Sequence, residues 1–111
     1  MPEDRDPPVR DLTPEDVARG LAEDTMLLVD VREPNETALE RYPGAAIVPL
    51  SAFDVSMIPD PAGRQVVFAC RSGRRSVTAS LAAQDQGFPY KSHLAGGILA
   101  WKAAGLATTT G

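Results

Sequence analysis

The chain places its only cysteine directly before its densest group of arginines. Cys70 ends an apolar run over residues 65–70, and Arg71, Arg74 and Arg75 follow where the pattern becomes helical. A cysteine reacts as its thiolate, and both neighbouring cations and the positive end of a helix favour that charged form. The motif therefore predicts an anion-binding site built around a reactive thiolate.

An inert buried cysteine is the alternative, since free cysteines are often buried and Cys70 ends an apolar strand. The arginines count against it, because cations at the start of a helix oppose the helix dipole and so indicate an anionic partner. Backbone N–H groups of the same loop would add donors for an anion. Gly73 is expected to take the unusual backbone angles that such a loop needs. Both interpretations stay open on the local residues alone.

Strand-like and helix-like segments alternate along the chain with short connections. Apolar runs predict strands at 26–32, 45–50, 65–70 and 90–95, and helical patterns predict helices at 14–23, 34–41, 74–86 and 97–104. Thr13 and Asp16 form a capping-box pattern, and Ser51 is expected to cap a short helical turn. Val77 and Leu81 are expected to lie on one face of the helix at 74–86. The alternation predicts an α/β domain with a mostly parallel sheet and helices on both faces.

Composition limits the possible function classes. No apolar run approaches the roughly 20 residues that span a bilayer, and the single cysteine excludes an internal disulfide. One cysteine and one histidine also argue against a structural metal site. With no secretory signal pattern, a reducing, cytoplasmic location is expected. The excess of acidic residues lies in residues 1–24, which argues against a nucleic-acid-binding face.

The length of 111 residues suits one domain. Residues 1–8 are predicted to be a flexible tail, residues 9–107 the folded domain, and residues 108–111 a second tail. A monomer without a membrane or nucleic-acid partner is expected.

Four segments occur in the order and spacing typical of a single-domain rhodanese: LLVDVREPNE, YPGAAIVPL, VVFACRSGRRS and LAGGILAWKAAGL. Together they cover about residues 10–107, nearly the whole chain. The DVRE and GGxxAW motifs gain their specificity from the combination with a C-x4-R motif that begins at Cys70. The chain therefore resembles the thiosulfate sulfurtransferase-like family of rhodaneses.

This resemblance implies a rhodanese-like single domain with a central, mostly parallel, five-stranded sheet and helices on both faces. Cys70 would be the nucleophile that accepts a sulfane sulfur as a persulfide. The active-site loop would follow it with Arg71, Ser72, Gly73, Arg74 and Arg75. The loop amides would stabilise the persulfide, and the arginines would attract thiosulfate. No cofactor and no metal ion is implied.

Asp30 and Arg32 match an Asp-x-Arg motif that braces nearby loops in the family, although a strand-end ion pair without a catalytic role is an equal alternative. Two other positions depart from the family pattern. Arg41 and Tyr42 stand where His-Ile is frequent, which puts in doubt a histidine role there. His93 stands where Asn is frequent and is expected to be a core or edge histidine with satisfied hydrogen bonds. Trp101 and Gly96–Gly97 are expected to serve packing and turn formation.

The implied reaction moves a sulfane sulfur from thiosulfate, through a Cys70 persulfide, to cyanide, a thiol or a thioredoxin-like protein. An external acceptor is needed because the chain has no second cysteine. A persulfide carrier loaded by a protein donor is one alternative. A mercaptopyruvate donor is another, but three arginines suit a dianion better. A rhodanese-fold phosphatase or arsenate reductase is less favoured, because such loops have five residues between Cys and Arg and this one has four.

Overall fold

The computed structural model describes residues 8–110, so the tail predicted at 1–8 lies outside the described residues apart from Pro8. The strands are β1 (Arg10–Leu12), β2 (Met26–Asp30), β3 (Glu40–Arg41), β4 (Ala46–Ile47), β5 (Gln65–Ala69), β6 (Ser92–Leu94) and β7 (Thr109–Thr110). The helices are α1 (Pro14–Ala22), α2 (Pro34–Thr37), α3 (Arg75–Asp85) and α4 (Gly97–Ala103). Between residues 8 and 110, no helix has both the length and the apolar character needed to cross a bilayer.

Five of the strands form one sheet with the order β1-β6-β5-β2-β4, and each neighbouring pair in it is parallel. Side chains alternate between the two faces along each strand, so β2 and β5 contribute to two apolar cores. On one face Leu28 and Val67 pack with Val17 of α1 and with α4. On the other face Val29 and Phe68 pack with α3. The predicted α/β architecture, with a five-stranded parallel sheet and helices on both faces, is confirmed.

Helix α3 approaches the sheet through small side chains. Its buried residues are Ser76, Ala79, Ser80 and Ala83. Val77 and Leu81 lie four residues apart in α3 and share a face as expected, but Leu81 is 44% exposed, so the face buried against the sheet is the one formed by the small residues. Small side chains permit a close approach between helix and strand, and this approach sets the start of α3 beside the end of β5.

The segment predicted as one helix over 34–41 divides into two elements. Helix α2 ends at Thr37, and β3 follows as an antiparallel partner of β7. The Thr108 hydroxyl also donates to the Glu40 carboxylate. Residues 108–110, predicted as a tail, are therefore held against the domain by this two-stranded ribbon.

One of the two predicted N-terminal caps, that of α1, is present in the structure, and the other, at Ser51, is not. The Thr13 and Asp16 capping box at the start of α1 is confirmed. Ser51 does not cap a helix, because it lies within a 3-10 turn over Leu50–Ala52 and donates to Glu33. Asp54 caps the following 3-10 turn instead, with its side chain accepting the Ser56 N–H. Strand β1 was not predicted at all.

Candidate active site

Cys70 lies immediately after β5, at the carboxyl end of the parallel sheet, where open α/β sheets bind ligands. The loop that follows turns within four residues into α3. Gly73 has a φ of +98°, and a Cβ there would lie 3.0 Å from the backbone nitrogen of Gly96. The sequence-based expectation for Gly73 is confirmed, since the turn needs both its backbone freedom and its lack of a side chain.

The loop surrounds the Cys70 sulfur with hydrogen-bond donors. The Gly73 N–H donates to Sγ at 3.1 Å, and the Ser76 hydroxyl lies 3.6 Å from the same sulfur. Burial raises the pKa of Cys70, but the Ser76 hydroxyl and the backbone N–H groups of Ser76, Gly73 and Ser72 outweigh it, so the pKa is lowered overall. Because these donors bond the charged form, the site favours the thiolate.

Cys70 itself has no exposed surface, while Arg71 and Ser72 above it are exposed. Cys70 is therefore buried, as expected for an inert structural cysteine. Its sulfur nevertheless has hydrogen-bond partners, which an inert thiol would not need. A reacting molecule must reach the sulfur from the loop side, since strand and core close off the other directions.

The backbone of the loop is fixed by α4 and by Tyr42. The carbonyl oxygen of Cys70 accepts bonds from the Tyr42 hydroxyl at 2.6 Å and from the Ile98 N–H at 2.9 Å. The carbonyl oxygen of Arg71 accepts from the Leu99 N–H at 3.2 Å. Gly97 makes this contact possible, because a Cβ there would lie 2.3 Å from the Arg71 carbonyl. The Gly-Gly pair expected to form a turn therefore also seats the loop.

Asp30 and Arg32 form a buried ion pair at the end of β2, with 2.8 Å between Arg32 Nη2 and Asp30 Oδ2. Arg32 also donates to the carbonyl of Glu40 at 2.8 Å and lies 5.5 Å from the centre of the Tyr42 ring. Burial raises the pKa of Tyr42 well above its usual range, so its hydroxyl stays protonated and donates to Cys70. The pair thus contacts the loop through Tyr42, a residue the sequence had marked only as a departure.

The three arginines of the loop are placed differently from one another. Arg71 and Arg74 are exposed. Arg75 is half-buried and donates two bonds to Glu36, at 2.6 Å and 2.9 Å. Both terminal nitrogens of the Arg75 guanidinium therefore bind the Glu36 carboxylate. Glu36 is distant in sequence, so the local motif could not predict this pair. The positive charge that faces solvent comes from Arg71 and Arg74, and the thiolate is stabilised chiefly by amides and Ser76.

We expect Glu36→Gln to lower the free energy of unfolding by about 1 kcal/mol at pH 7, because it replaces a two-bond ion pair. Bonds from Arg75 hold the pKa of Glu36 at about 2, whereas an unfolded Glu titrates near roughly 4.3. The stabilisation is therefore full above about pH 5 and is lost as the pH falls toward 2. Urea unfolding at a series of pH values measures this.

The difference in the free energy of unfolding between Glu36→Gln and the parent chain is expected to decrease steadily from pH 5 to pH 3. Glu23→Gln is a matched control, since Glu23 is exposed at the end of α1 and should change stability little at any pH. A Glu36→Gln deficit that does not change with pH would show that the Arg75 pair is not its cause.

His93 is buried and both ring nitrogens have partners. Nδ1 lies 2.8 Å from the Ser76 hydroxyl, and Nε2 lies 2.7 Å from the Asp11 carboxylate. The expectation of a satisfied core histidine is confirmed. The sequence did not indicate, however, that the Ser76 hydroxyl between His93 and Cys70 connects this histidine to the sulfur.

A surface cleft of about 300 Å³ opens beside the loop. Its lining combines basic, acidic and apolar side chains: Arg32, Arg71, Lys102, Glu36, Glu40, Leu39, Ile98 and Leu99. Leu39 is 76% exposed and Leu99 is 47% exposed, so the cleft presents apolar side chains next to charged ones of both signs. A larger hollow, lined by Gln65 and Ser92 among others, lies at the opposite end of the strands and away from the sulfur.

Known proteins resemble the chain over most of its length. The family described as "Rhodanese-like domain" matches residues 13–104. A protein named sulfurtransferase from Allochromatium vinosum is 37% identical over 99 residues, covering 88% of this chain and 92% of that protein. An uncharacterized protein of Synechocystis is 38% identical over 97 residues, covering 87% of this chain, which spans only 54% of that relative. The solved structure of thiosulfate sulfurtransferase from Pseudomonas aeruginosa is 26% identical, with a TM-score of 0.78 over 93% of this chain and 20% of that one.

Proposed function

Because the chain belongs to the rhodanese-like family, we propose that it transfers a sulfane sulfur from thiosulfate to a thiophilic acceptor through a persulfide on Cys70. The observation that carries the proposal is the single sulfur bonded by loop donors, with the Gly73 N–H at 3.1 Å. The loop is also short, with four residues between Cys70 and Arg75, which suits one additional sulfur atom better than a phosphate group.

The reaction has two displacement steps. The Cys70 thiolate attacks the outer sulfur of thiosulfate, the S–S bond of thiosulfate breaks, and sulfite leaves with the bonding electron pair. An acceptor such as cyanide or a thiolate then attacks the outer sulfur of the persulfide and regenerates the Cys70 thiolate. The loop amides stabilise negative charge on sulfur in both steps without reorganising.

Thiosulfate as the donor is supported by the charges around the loop opening. Arg71 and Arg74 are both exposed there, and two guanidinium groups complement a dianion better than the single carboxylate of mercaptopyruvate. Because Cys70 is covered in this conformation, donor access requires the exposed side chains above it to move aside.

Phosphate chemistry is disfavoured by the state of Arg75. In a phosphate site an arginine fork would grip two oxygens of the substrate. Here both terminal nitrogens of Arg75 are bonded to Glu36, at 2.6 Å and 2.9 Å. The four-residue spacing between Cys70 and Arg75 also makes the loop short.

A persulfide carrier that exchanges sulfur with protein partners is the second candidate. It is supported by the cleft beside the loop, where Leu39 and Leu99 expose apolar surface next to Arg71. Exposed apolar side chains close to a reacting group are typical of protein-binding surfaces. The chain has no second cysteine to resolve its persulfide, so an external acceptor is needed. A thioredoxin-like acceptor would bind the same surface.

Steady-state kinetics with thiosulfate and cyanide test the proposal. We expect thiocyanate to form, with parallel double-reciprocal lines when the two substrates are varied, because sulfite leaves before cyanide reacts. Intersecting lines would contradict a persulfide intermediate. Absence of turnover, together with transfer from a chain loaded by a protein persulfide donor, would favour the carrier instead.

A further inference from the structure

We propose that Ser76, His93 and Asp11 form a proton relay that generates the Cys70 thiolate by moving the thiol proton toward His93. The four side chains are arranged in series. Cys70 Sγ lies 3.6 Å from Ser76 Oγ, Ser76 Oγ lies 2.8 Å from His93 Nδ1, and His93 Nε2 lies 2.7 Å from Asp11 Oδ1. The inference rests on the proposed role of Cys70 as the nucleophile.

The register of the sheet explains why these residues meet. Asp11 of β1 is paired with His93 of β6, and His93 is paired with Phe68 of β5. Paired residues in neighbouring strands project to the same face. Phe68 belongs to the core beneath α3, so His93 and Asp11 are placed on that face as well. Helix α3 presents Ser76 there because its buried face consists of small residues.

The direction of each hydrogen bond follows from the chemistry of the partners. An ionised Asp11 carboxylate can only accept, so His93 Nε2 carries a hydrogen. In a neutral imidazole, Nδ1 then accepts, and the Ser76 hydroxyl must donate to it. The Ser76 oxygen in turn faces the sulfur as an acceptor and stabilises the protonated thiol. While His93 is neutral, Ser76 therefore donates to Nδ1, and the Ser76 bond to the thiolate that lowers the pKa of Cys70 forms only when Nδ1 carries a hydrogen.

Transfer of one proton along the series reverses these directions together. The Cys70 proton moves to Ser76 Oγ as the hydroxyl hydrogen of Ser76 moves to His93 Nδ1. The products are a thiolate that accepts a bond from Ser76 and an imidazolium that donates to Ser76 and to Asp11. No atom or electron is gained or lost. The imidazolium and the thiolate are both buried, so their attraction is screened less than it would be in water, whereas the Asp11 side chain is 76% exposed and its attraction to the imidazolium is partly screened by solvent.

The polar and charged groups that face His93 are Asp11, Ser76 and, behind the Ser76 hydroxyl, Cys70. Asp11 faces it from β1, and Ser76 faces it from α3. Strand β5 contributes the apolar Phe68 beside it. The active-site loop brings Gly73 toward ring atom Cε1, where a Cβ on Gly73 would lie at 3.8 Å. His93 acts on the sulfur only through Ser76 and is therefore a positioning residue.

The test is the rate of Cys70 alkylation by iodoacetamide between pH 5 and pH 10. His93→Asn keeps a polar atom toward Ser76 but cannot take up a proton. We expect its alkylation at pH 7 to be slower by about tenfold, which corresponds to one pKa unit of the thiol, with an unchanged rate at high pH. Asp11→Asn should slow the reaction less, because the imidazole remains. Asp24→Asn is the matched control, since Asp24 pairs with Arg64 at 3.5 Å, remote from the loop.

A second measurement does not depend on how well the His93 variant folds. The chain has one histidine, so its imidazole proton signal in NMR is unambiguous. If the relay operates, replacing Cys70 by Ser shifts the pH range over which this signal moves, because the thiolate no longer favours the imidazolium. The expected shift is toward lower pH.

Superimposable alkylation profiles for His93→Asn and the parent chain, with no change in the imidazole signal on Cys70→Ser, would overturn the relay. These outcomes are separate from the proposed function. Sulfur transfer with unchanged profiles would refute the relay alone. If His93→Asn shifts the pH profile of Cys70 alkylation but the parent chain transfers no sulfur, the sulfurtransferase activity is refuted and the relay is supported.

Discussion

Replacement of Cys70 by Ser is expected to reduce thiosulfate:cyanide sulfur transfer by more than about 1,000-fold, as loss of a catalytic nucleophile does elsewhere. A serine hydroxyl is not ionised near neutral pH and is a poor nucleophile toward sulfur. The chain holds no other thiol that could replace it. Thiocyanate formation measures the loss.

The fold should survive this substitution. Serine is close in size to cysteine, and its hydroxyl oxygen can accept the Gly73 N–H that now reaches Sγ at 3.1 Å. We therefore expect an unfolding temperature close to that of the parent chain. Turnover near the parent rate in a folded Cys70→Ser chain would refute the assignment of the nucleophile.

Gly97→Ala is expected to have the second largest effect, although Gly97 carries no chemistry. Its Cβ would lie 2.3 Å from the carbonyl carbon and oxygen of Arg71 and 2.6 Å from the Cys70 oxygen. These are backbone atoms, so the loop must move away from α4 and lose the Ile98 and Leu99 N–H bonds. We expect a cost of about 2–4 kcal/mol in the free energy of unfolding and at least about 100-fold in sulfur transfer, because the donors around the sulfur are displaced.

Gly105→Ala separates this clash from simple backbone strain. Gly97 and Gly105 both have positive φ values, +59° and +80°, but a Cβ at Gly105 would have no atom within 4 Å. The control should cost about 1 kcal/mol and leave transfer nearly unchanged. Equal losses of activity in the two variants would show that the contact between α4 and the loop does not position the site.

The elements that could be predicted from the sequence are those with strong local patterns. The apolar runs of β2 and β5 and the capping box of α1 are examples. Strand β1 has the polar sequence Arg-Asp-Leu and is a strand only because it pairs with β6, about 80 residues away in the chain. The second half of the segment 34–41 likewise forms β3 because β7 returns to pair with it. Such pairings have no local signature.

The site divides in the same way. The position of Cys70, the special conformation of Gly73 and the helix after the loop follow from adjacent residues. The partners of the loop do not: Tyr42 is 28 residues from Cys70, and Glu36 is 39 residues from Arg75. The sequence therefore suggested that the arginines stabilise the thiolate, whereas Arg75 is paired with Glu36 and the pKa of Cys70 is lowered by Ser76 and by backbone N–H groups.

The most direct measurement is the intact mass of the chain after incubation with thiosulfate and removal of excess donor, with Cys70→Ser treated in parallel. The expected result is a gain of about 32 Da, one sulfur atom, in the parent chain alone, reversed by cyanide with release of thiocyanate. An unchanged mass in a folded, reduced parent chain, or the same gain in Cys70→Ser, would contradict a thiosulfate-derived persulfide on Cys70.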